Sequence, residues 1–141
     1  MNFEFRIWDG QKFLEQCGNH LSLDGKNTVF KYENGGLKIV QEYPKEKIQQ
    51  FTNAFDKNGR KIFEGDIVLF DNPDPYDNHE ILTMIVGYNT RSMGYKLYNF
   101  PEDIGKKSGQ NFFPEEVEVV GNVFDGAVKD GVNYGMYLKA K

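Results

Sequence analysis

The sequence predicts a mainly β fold, in which many short antiparallel strands form a partly closed, SH3-like or similar small barrel with at most one or two short helices. Short apolar or alternating segments are separated by Gly, Asn and Asp turn signals about every eight to twelve residues, which is typical of all-β domains. The chain also carries twelve Phe and eight Tyr, residue types that strands favour. Its 141 residues fit a single domain.

The first strand is predicted over residues 2–8, where apolar and polar side chains alternate as in a half-buried strand. The two faces are Phe3, Phe5 and Ile7 on one side, and Glu4, Arg6 and Trp8 on the other. Asp9-Gly10 is a hairpin turn signal, after which Lys12-Phe13-Leu14 can return. Residues 17–20 are predicted to form a loop.

Residues 21–40 predict a meander of strands over 21–23, 28–32 and 37–40, separated by Asp- and Asn-Gly turns. The following segment, 43–52, is ambiguous. Pro44, Glu46 and the i,i+3 spacing of Ile48 and Phe51 favour a short helix of at most one or two turns, followed by a strand into the central stretch. If the chain has a subdomain boundary, we expect it near 41–50.

The central stretch is Phe55 to Phe70, FDKNGRKIFEGDIVLF, which contains two turn signals and two strand signals. Gly59 closes the first turn, and Gly65 is the expected left-handed or bulged position in the second. Asp66 is expected to bond backbone N–H groups where the second strand begins. The apolar run 67–70 predicts a strand buried on both faces.

The remaining chain predicts an acidic loop over 71–80, a strand over 81–88, a turn over 89–94 and a strand over 95–98. The two prolines of the acidic loop exclude a central strand there. A polar loop over 99–111 then leads to a strand over 116–124. The terminal extension 127–141 carries Tyr134, Met136, Tyr137 and Leu138, and these apolar side chains favour docking over disorder.

Several groups of residues resemble catalytic or metal-binding sites, but each is better explained as a turn or a solvent-exposed loop. Glu64 with Asp66 resembles a carboxylate pair, but no histidine or third ligand lies nearby in the sequence. Cys17 and His20 share a predicted loop without an orienting acid. The acidic loop offers oxygen ligands without the spacing of an EF-hand, and no phosphate-binding GxxxxGK[ST] motif is present. We therefore predict no catalytic residue, no metal site and no cofactor.

The charge pattern constrains the partner. With 17 basic and 21 acidic residues the net charge is −4, which disfavours sequence-independent binding of duplex nucleic acid. A local basic patch could still bind a single strand, with Tyr or Phe stacking on the bases. The residues predicted for that patch are Arg60, Lys61, Arg91, Lys106 and Lys107.

The compartment is predicted from cysteine content and hydropathy. The single cysteine, Cys17, excludes an internal disulfide and fits a reducing environment. No apolar run approaches the roughly 18 residues of a membrane-spanning helix, and the first residues lack the pattern of a signal peptide. We expect a cytoplasmic protein without membrane contact.

The run DKNGRKIFEGDIV at 56–68 resembles the signature of the YopX-like family of phage and prophage proteins. Residues 3–9, FEFRIWD, resemble the family's opening strand, and residues 116–124, EVEVVGNVF, resemble its closing strand. Where the family carries Thr-Gly-Leu before the central turn, this chain has Thr52-Asn53-Ala54, without the glycine. The resemblance implies a single β-rich domain over 1–141, an extended segment through 49–52, a phage or mobile-element origin, and no catalytic residues.

The structural residues predicted from the turn signals and this resemblance are Gly59, Glu64, Gly65, Asp66, Gly121 and Asn122. The leading functional hypothesis is a non-catalytic phage or prophage accessory protein, located in the cytoplasm of the bacterial host. It would act by self-association as a homo-oligomer or by binding a phage or host protein. Two alternatives stay open: a barrel that binds single-stranded nucleic acid, and a small metal-dependent hydrolase built on the acidic loop with Glu64 and Asp66.

Overall fold

A computed structural model of the chain describes residues 4–14, 18–21, 27–33, 36–43, 47–71 and 81–135. Within these ranges the chain forms β-strands, turns and short 3-10 helical turns, which confirms the prediction of a mainly β fold. The chain divides into two compact units, the N-terminal unit Phe3–Gln50 and the C-terminal unit of Met1–Asn2 with Phe51–Lys141. The division falls at the end of the segment 41–50, where the sequence places a possible boundary.

The N-terminal unit contains two antiparallel strand arrangements, one in the order β3-β4-β5 and one in which β1 lies between β2 and the first part of β6. Its strands are β1 (Phe5–Trp8), β2 (Phe13–Leu14), β3 (Gly18–Leu21), β4 (Asn27–Glu33), β5 (Gly36–Tyr43) and the beginning of β6 (Ile48–Phe55). The loop predicted over 17–20 is wrong for 18–20, because these residues pair with β4 from Gly18 opposite Phe30 to His20 opposite Thr28.

The hairpin predicted at Asp9-Gly10 is confirmed. Gly10 has φ +105°, and the Asp9 carboxylate accepts the backbone N–H groups of Gln11 and Lys12, each at 2.8 Å. This turn sets Trp8 opposite Phe13, with the ring centroids 5.0 Å apart.

The solvent face predicted for β1 is wrong at Arg6, which is buried together with Ile7. Arg6 Nε donates to Gln49 Oε1 at 3.1 Å, and the guanidinium lies 3.9 Å from the centroid of the Phe13 ring. A buried guanidinium is tolerated because an amide oxygen and an aromatic face replace its water.

The ambiguous segment becomes a strand from Ile48 onward, so the extended interpretation is right for 48–52. A helix that includes Ile48 and Phe51, as their i,i+3 spacing predicts, is therefore wrong, whereas residues 44–46 lie outside the described ranges. Thr52 Oγ1 donates to the carbonyl of Ile62 at 2.7 Å and accepts the N–H of Ala54 at 3.2 Å. Asn53, at the position of the family's glycine, adopts φ +68°, which Asn tolerates better than most residues.

The C-terminal unit is built around an antiparallel sheet in the order β10-β9-β8-β11. Strand β7 pairs with the second part of β6, and β12 pairs with β13 as a separate hairpin. The strands are β7 (Lys61–Phe63), β8 (Asp66–Asp71), β9 (Ile81–Asn89), β10 (Gly94–Tyr98), β11 (Val117–Asn122), β12 (Val128–Lys129) and β13 (Val132–Asn133). The 3-10 turns are Pro101–Asp103 and Pro114–Glu116.

Strand β8 has apolar partners on both faces, as its continuous apolar run predicts. Val68 and Phe70 belong to one buried cluster with Ile62, Met84, Val86, Leu97, Val117 and Val119. Ile67 belongs to a second with Ile85, Tyr98, Val120 and Ala127. The C-terminal unit therefore has a core on each side of one sheet.

The sheet of the C-terminal unit is open and is not closed into a barrel. Its β11 edge is bonded by the turn before β7, where the Lys57 N–H donates to the carbonyl of Val117 at 3.1 Å. Its β10 edge is bonded by Gln110, which exchanges two backbone hydrogen bonds with Leu97 at 2.7 and 2.9 Å. The sheet is partly closed only in the sense that these hydrogen bonds cover its two edge strands.

The terminal extension packs back on the unit through residue 134. Ala127 is fully buried, and Tyr134 packs on the cluster to which Ala127 belongs. The N–H of Tyr134 donates to the Ala127 carbonyl at 2.8 Å. Three of the apolar residues expected to dock, at 136–138, lie outside the described part of the chain.

Candidate functional site

The carboxylate of Asp56 connects the first central turn to β11. Its Oδ1 accepts the N–H groups of Asn58 and Arg60 at 2.9 and 2.8 Å, and its Oδ2 accepts the N–H of Val119 at 2.8 Å. Gly59, with φ +80°, closes the turn by donating to the Asp56 carbonyl at 3.0 Å. Asp56 therefore positions a strand 63 residues away.

The second central turn is held by Asp66, which is 2% exposed. Its Oδ2 accepts the N–H of Phe63 at 2.7 Å, the kind of backbone bond that the sequence predicts, and its Oδ1 accepts the side-chain amide of Asn122 at 2.9 Å. Gly65, with φ +84°, donates to the carbonyl of Val86 at 2.8 Å and accepts from Val123 at 3.0 Å. The turn thus joins β8 to β9 and to the end of β11.

Gly121 allows β11 to pass close to the chain that follows it. A Cβ at this position would lie 2.1 Å from the carbonyl oxygen of Gly126 and 2.4 Å from Cα of Ala127. The ladder between β11 and β8 shifts register between Val119 and Gly121. The shift marks a β-bulge, and Val119 and Val120 lie in opposite core clusters, as successive residues of a strand do.

Glu64 is half-buried, and its charge acts on Tyr95. Burial, followed by the charge of Glu64 and then by Tyr88, raises the pKa of the Tyr95 phenol to about 12. The Tyr95 ring packs edge-on against Tyr88 with centroids 5.2 Å apart. Glu64 and Asp66 thus lie in different surroundings, and Asp66 is engaged by Phe63 and Asn122.

A polar cavity of about 260 Å³ lies between the β9–β10 turn and the loop after the first 3-10 turn. Its lining residues are 89–92 and 105–108, and none of them carries an apolar or an acidic side chain. Asn89, which is buried, fixes the two walls to each other. Its Nδ2 donates to the carbonyls of Lys107 and Ser108 at 3.1 and 3.2 Å and to the Tyr98 hydroxyl at 3.1 Å, while its Oδ1 accepts the N–H of Ser92 at 3.0 Å.

The five predicted basic residues are divided among three surroundings. Arg91, Lys106 and Lys107 line the polar cavity together. Arg60 lines a second cavity of about 300 Å³, which also contains the paired side chains of Glu118 and Lys129. Lys61 Nζ lies 5.3 Å from the centroid of the Phe51 ring. The two cavities share no lining residue, so only three of the five cations are brought to one place.

The pair of Glu118 and Lys129 ties β12 to β11. Both carboxylate oxygens of the buried Glu118 accept from Lys129 Nζ. The hydrogen bond that Lys129 donates to Glu118 raises the pKa of Lys129. This pair satisfies a carboxylate inside β11 that would otherwise be costly to bury.

The remaining chemical candidates fall mainly outside the described part of the chain. Cys17 and the acidic residues 74–80 lie there, and Asp71 ends β8. Among the residues that the structure describes, no three His, Cys, Asp or Glu side chains are grouped so that they could hold a metal ion. Within the same described ranges, no helix is long and apolar enough to cross a membrane.

The family model described as "YopX protein" matches residues 4–128, a span that includes both central turns and the whole of β11. The chain belongs to the YopX family. Asp56, Asp66 and Asn122 are therefore hydrogen-bonding residues within the matched region of a YopX-family chain. No curated protein matches the sequence.

Two solved structures share the fold of this YopX-family chain. Protein yopX from Bacillus subtilis has a TM-score of 0.59 at 17% identity, with 88% of this chain and 94% of that chain covered. Protein EF1440 from Enterococcus faecalis has a TM-score of 0.50 at 22% identity, with 89% and 95% covered. At these identities the likeness concerns the fold alone.

Sequence reasoning missed Asn89 and the cavity that it organises. The turn over 89–94 was predicted, and Asn is a residue that bonds the backbone of a following turn. That signal accounts for the bond to Ser92. The bonds to Lys107 and Ser108 have no local signal, because they join segments 18 and 19 residues apart.

Proposed function

We propose that this chain is an accessory protein of phage or prophage origin that acts by binding, as a homo-oligomer or with a phage or host protein, and not by catalysis. The observation that carries the proposal is the engagement of its two central carboxylates. Asp56 accepts three backbone hydrogen bonds, and Asp66 accepts one from the backbone and one from Asn122. Carboxylates bonded in this way hold turns together, which is a structural role.

The β12–β13 hairpin supports binding through an apolar surface. Val128 is 68% exposed and Val132 is 37% exposed, and the described strands of this hairpin pair only with each other. Exposed apolar side chains on a hairpin of this kind are suited to cover a surface of a second protein. Val123, also exposed, precedes the hairpin in the chain.

Light scattering coupled to size-exclusion chromatography tests the self-association form of the proposal. The Val128→Lys, Val132→Lys double variant is expected to lower the measured mass to that of the monomer. The Met93→Lys variant is the matched control, since Met93 is another exposed apolar residue outside the hairpin. If the wild-type chain is already monomeric, self-association is excluded.

Capture from phage-infected or lysogenic cells, with mass spectrometry and a nuclease-treated control, tests for a different protein partner. A partner that survives nuclease treatment and is lost with the double variant would support a protein interface at the hairpin. Partners captured equally by the wild type and the double variant would exclude that interface.

Binding of single-stranded nucleic acid is the second candidate, because Arg91, Lys106 and Lys107 line one cavity. Affinity for a fluorescent oligonucleotide should fall steeply with salt and with the Arg91→Glu, Lys106→Glu double variant. The Arg60→Glu, Lys61→Glu double variant is the matched control, since these residues lie elsewhere. Absence of binding at low salt would end this alternative.

A further inference from the structure

The polar cavity formed by residues 89–92 and 105–108 has the composition of a site for a small anion. We infer that it binds a single tetrahedral oxyanion, either inorganic phosphate or the phosphoryl group of a small phosphate ester. This inference does not rest on the proposed binding of a macromolecule, because the ligand is small and the cavity lies apart from the β12–β13 hairpin in the chain.

The charge of the cavity favours an anion. Three of its eight lining residues are cationic and none is acidic, although the whole chain has a net charge of −4. Lys107 Nζ lies 3.6 Å from Asp103 Oδ2, so part of its charge is compensated. Among the residues that the structure describes, none forms an ion pair or a side-chain hydrogen bond with the side chain of Arg91 or Lys106. These two cations are thus available to a ligand.

The hydrogen-bonding capacity of the cavity is also that of an anion site. Thr90, Ser92 and Ser108 contribute hydroxyl groups to the lining, and a hydroxyl can donate to an oxyanion. The guanidinium of Arg91 can place two parallel N–H donors on two oxygens of one tetrahedral group. Lys106 can act beside it as a compact point charge.

The size and lining of the cavity indicate a compact ligand. Pockets for drug-sized molecules are mostly apolar and measure roughly 300–1,000 Å³. This one measures about 260 Å³ and contains no apolar side chain. A phosphoryl group with a short polar substituent therefore fits it better than a large aromatic or aliphatic group does.

The walls of the cavity are fixed before any ligand arrives. Asn89 bonds both walls, and the N–H groups of Lys106 and Lys107 both donate to the Asp103 carbonyl at 3.0 Å. Beyond the loop, Gly109 adopts φ +74° where a Cβ would lie 2.6 Å from Lys96 Cβ. A preformed site loses less conformational entropy when it binds.

Titration of the ¹⁵N-labelled full chain with sodium phosphate, at an ionic strength kept constant with chloride, tests the inference by NMR. We expect saturable shifts concentrated in the amides of residues 89–92 and 105–108. The Arg91→Gln, Lys106→Gln double variant should raise the dissociation constant at least about tenfold, because two charge-assisted contacts are lost. The Lys57→Gln variant, which removes an exposed cation from the central turn, should bind as the wild type does.

Three outcomes of the phosphate titration would overturn the inference. They are the absence of localised shifts, shifts that chloride reproduces, and shifts that persist unchanged in the folded double variant. A parallel titration compares ribose 5-phosphate, which carries a terminal phosphoryl group, with an oligonucleotide that has only backbone phosphodiesters and no terminal phosphate. Shifts with ribose 5-phosphate support a small phosphate ester. Shifts with the oligonucleotide, but with neither phosphate nor ribose 5-phosphate, would overturn the inference in favour of nucleic acid.

Discussion

The side-chain amide of Asn122 donates to the buried carboxylate of Asp66 at 2.9 Å, across 56 residues of chain. The bond joins the last residue of β11 to the first residue of β8. Asn122 also accepts the N–H of Phe124 through Oδ1 at 3.1 Å. One amide thus holds the second central turn and the turn that follows β11.

The Asn122→Ala variant is expected to lower the free energy of unfolding by about 1–3 kcal/mol, because a buried carboxylate oxygen and a backbone N–H each lose a partner. Urea denaturation followed by circular dichroism measures this loss. Asn58→Ala is the matched control, since Asn58 is exposed and its bond to Asp56 uses the backbone N–H, which alanine keeps. Equal stability of the two variants would contradict the role assigned to Asn122.

Gly121→Ala should destabilise the chain more than Gly59→Ala does. At Gly121 an added Cβ would overlap the backbone of Gly126 and Ala127, so a strand must move. At Gly59 nothing lies within 4 Å of such a Cβ, and only the positive φ of +80° opposes the change, at about 1–2 kcal/mol. Thermal unfolding of the two variants gives the comparison, and the reverse order would show that β11 can shift without cost.

Gly65→Val is expected to prevent folding, because a β-branched residue is strongly disfavoured at φ +84°. The same residue bonds Val86 and Val123 through its backbone, so a relaxed backbone would break contacts to two other parts of the sheet. Gly65→Asn is the informative control, since Asn tolerates positive φ. Folding of each variant is measured from the dispersion of its NMR spectrum. A dispersed, wild-type-like spectrum of Gly65→Val would refute the positive-φ role assigned to Gly65.

Tyr95 should make the stability of the chain fall at alkaline pH. Burial and the charge of Glu64 raise the pKa of its phenol from 10.0 to about 12, so the folded chain holds this proton more tightly than the unfolded chain. The stabilisation is complete below pH 10 and is lost as the pH rises from about 10 to about 12. Urea midpoints measured across this range should decline less in Tyr95→Phe.

Glu64→Gln should lower the pKa of Tyr95 toward its ordinary value, because the second of its causes is removed while burial remains. The titration of Tyr95 alone is obtained from the tyrosinate absorbance of the chain with Tyr95 minus that of the same chain with Tyr95→Phe. This difference is measured once for chains that keep Glu64 and once for chains that carry Glu64→Gln. An unchanged midpoint in Glu64→Gln would mean that burial alone controls the phenol.

Arg6→Lys should destabilise the N-terminal unit by about 1–2 kcal/mol, because an ammonium replaces the planar group that lies over Phe13 and bonds Gln49. Hydrogen exchange of β1 and β2 amides locates the effect. Lys12→Arg is the control, as Lys12 is exposed in the same hairpin. Faster exchange in both variants would show that replacing either cation disturbs the hairpin, and the effect could not then be assigned to the Arg6 contacts.

The sequence predicts local structure here better than it predicts long-range polar contacts. Gly10, Gly59 and Gly65 all take the positive φ that their turn signals indicate, because the preference resides in the residue itself. Strand β8 is buried on both faces as its apolar run predicts. In contrast, the burial of Arg6 depends on Gln49, a residue 43 positions away, and alternation alone assigned it to solvent.

The candidate sites show the same limit. The three cations of the polar cavity were selected as basic loop residues, but nothing in the sequence separates Arg91 from Arg60. Arg91 lies with Lys106 and Lys107, and Arg60 does not, because Asn89 bonds residues 107 and 108 and so brings their loop to the β9–β10 turn. Those bonds form only after β9, β10 and the 3-10 turn are in place, so a local pattern does not contain them.

The burial of Ala127 has a consequence for how this domain is delimited. The family match stops at residue 128, whereas Tyr134 covers the Ala127 cluster and bonds its carbonyl. Recombinant fragments cut at the limit of sequence similarity would uncover part of the core and would be prone to aggregate. Expression boundaries, and any future comparison among relatives, should therefore extend at least through residue 135.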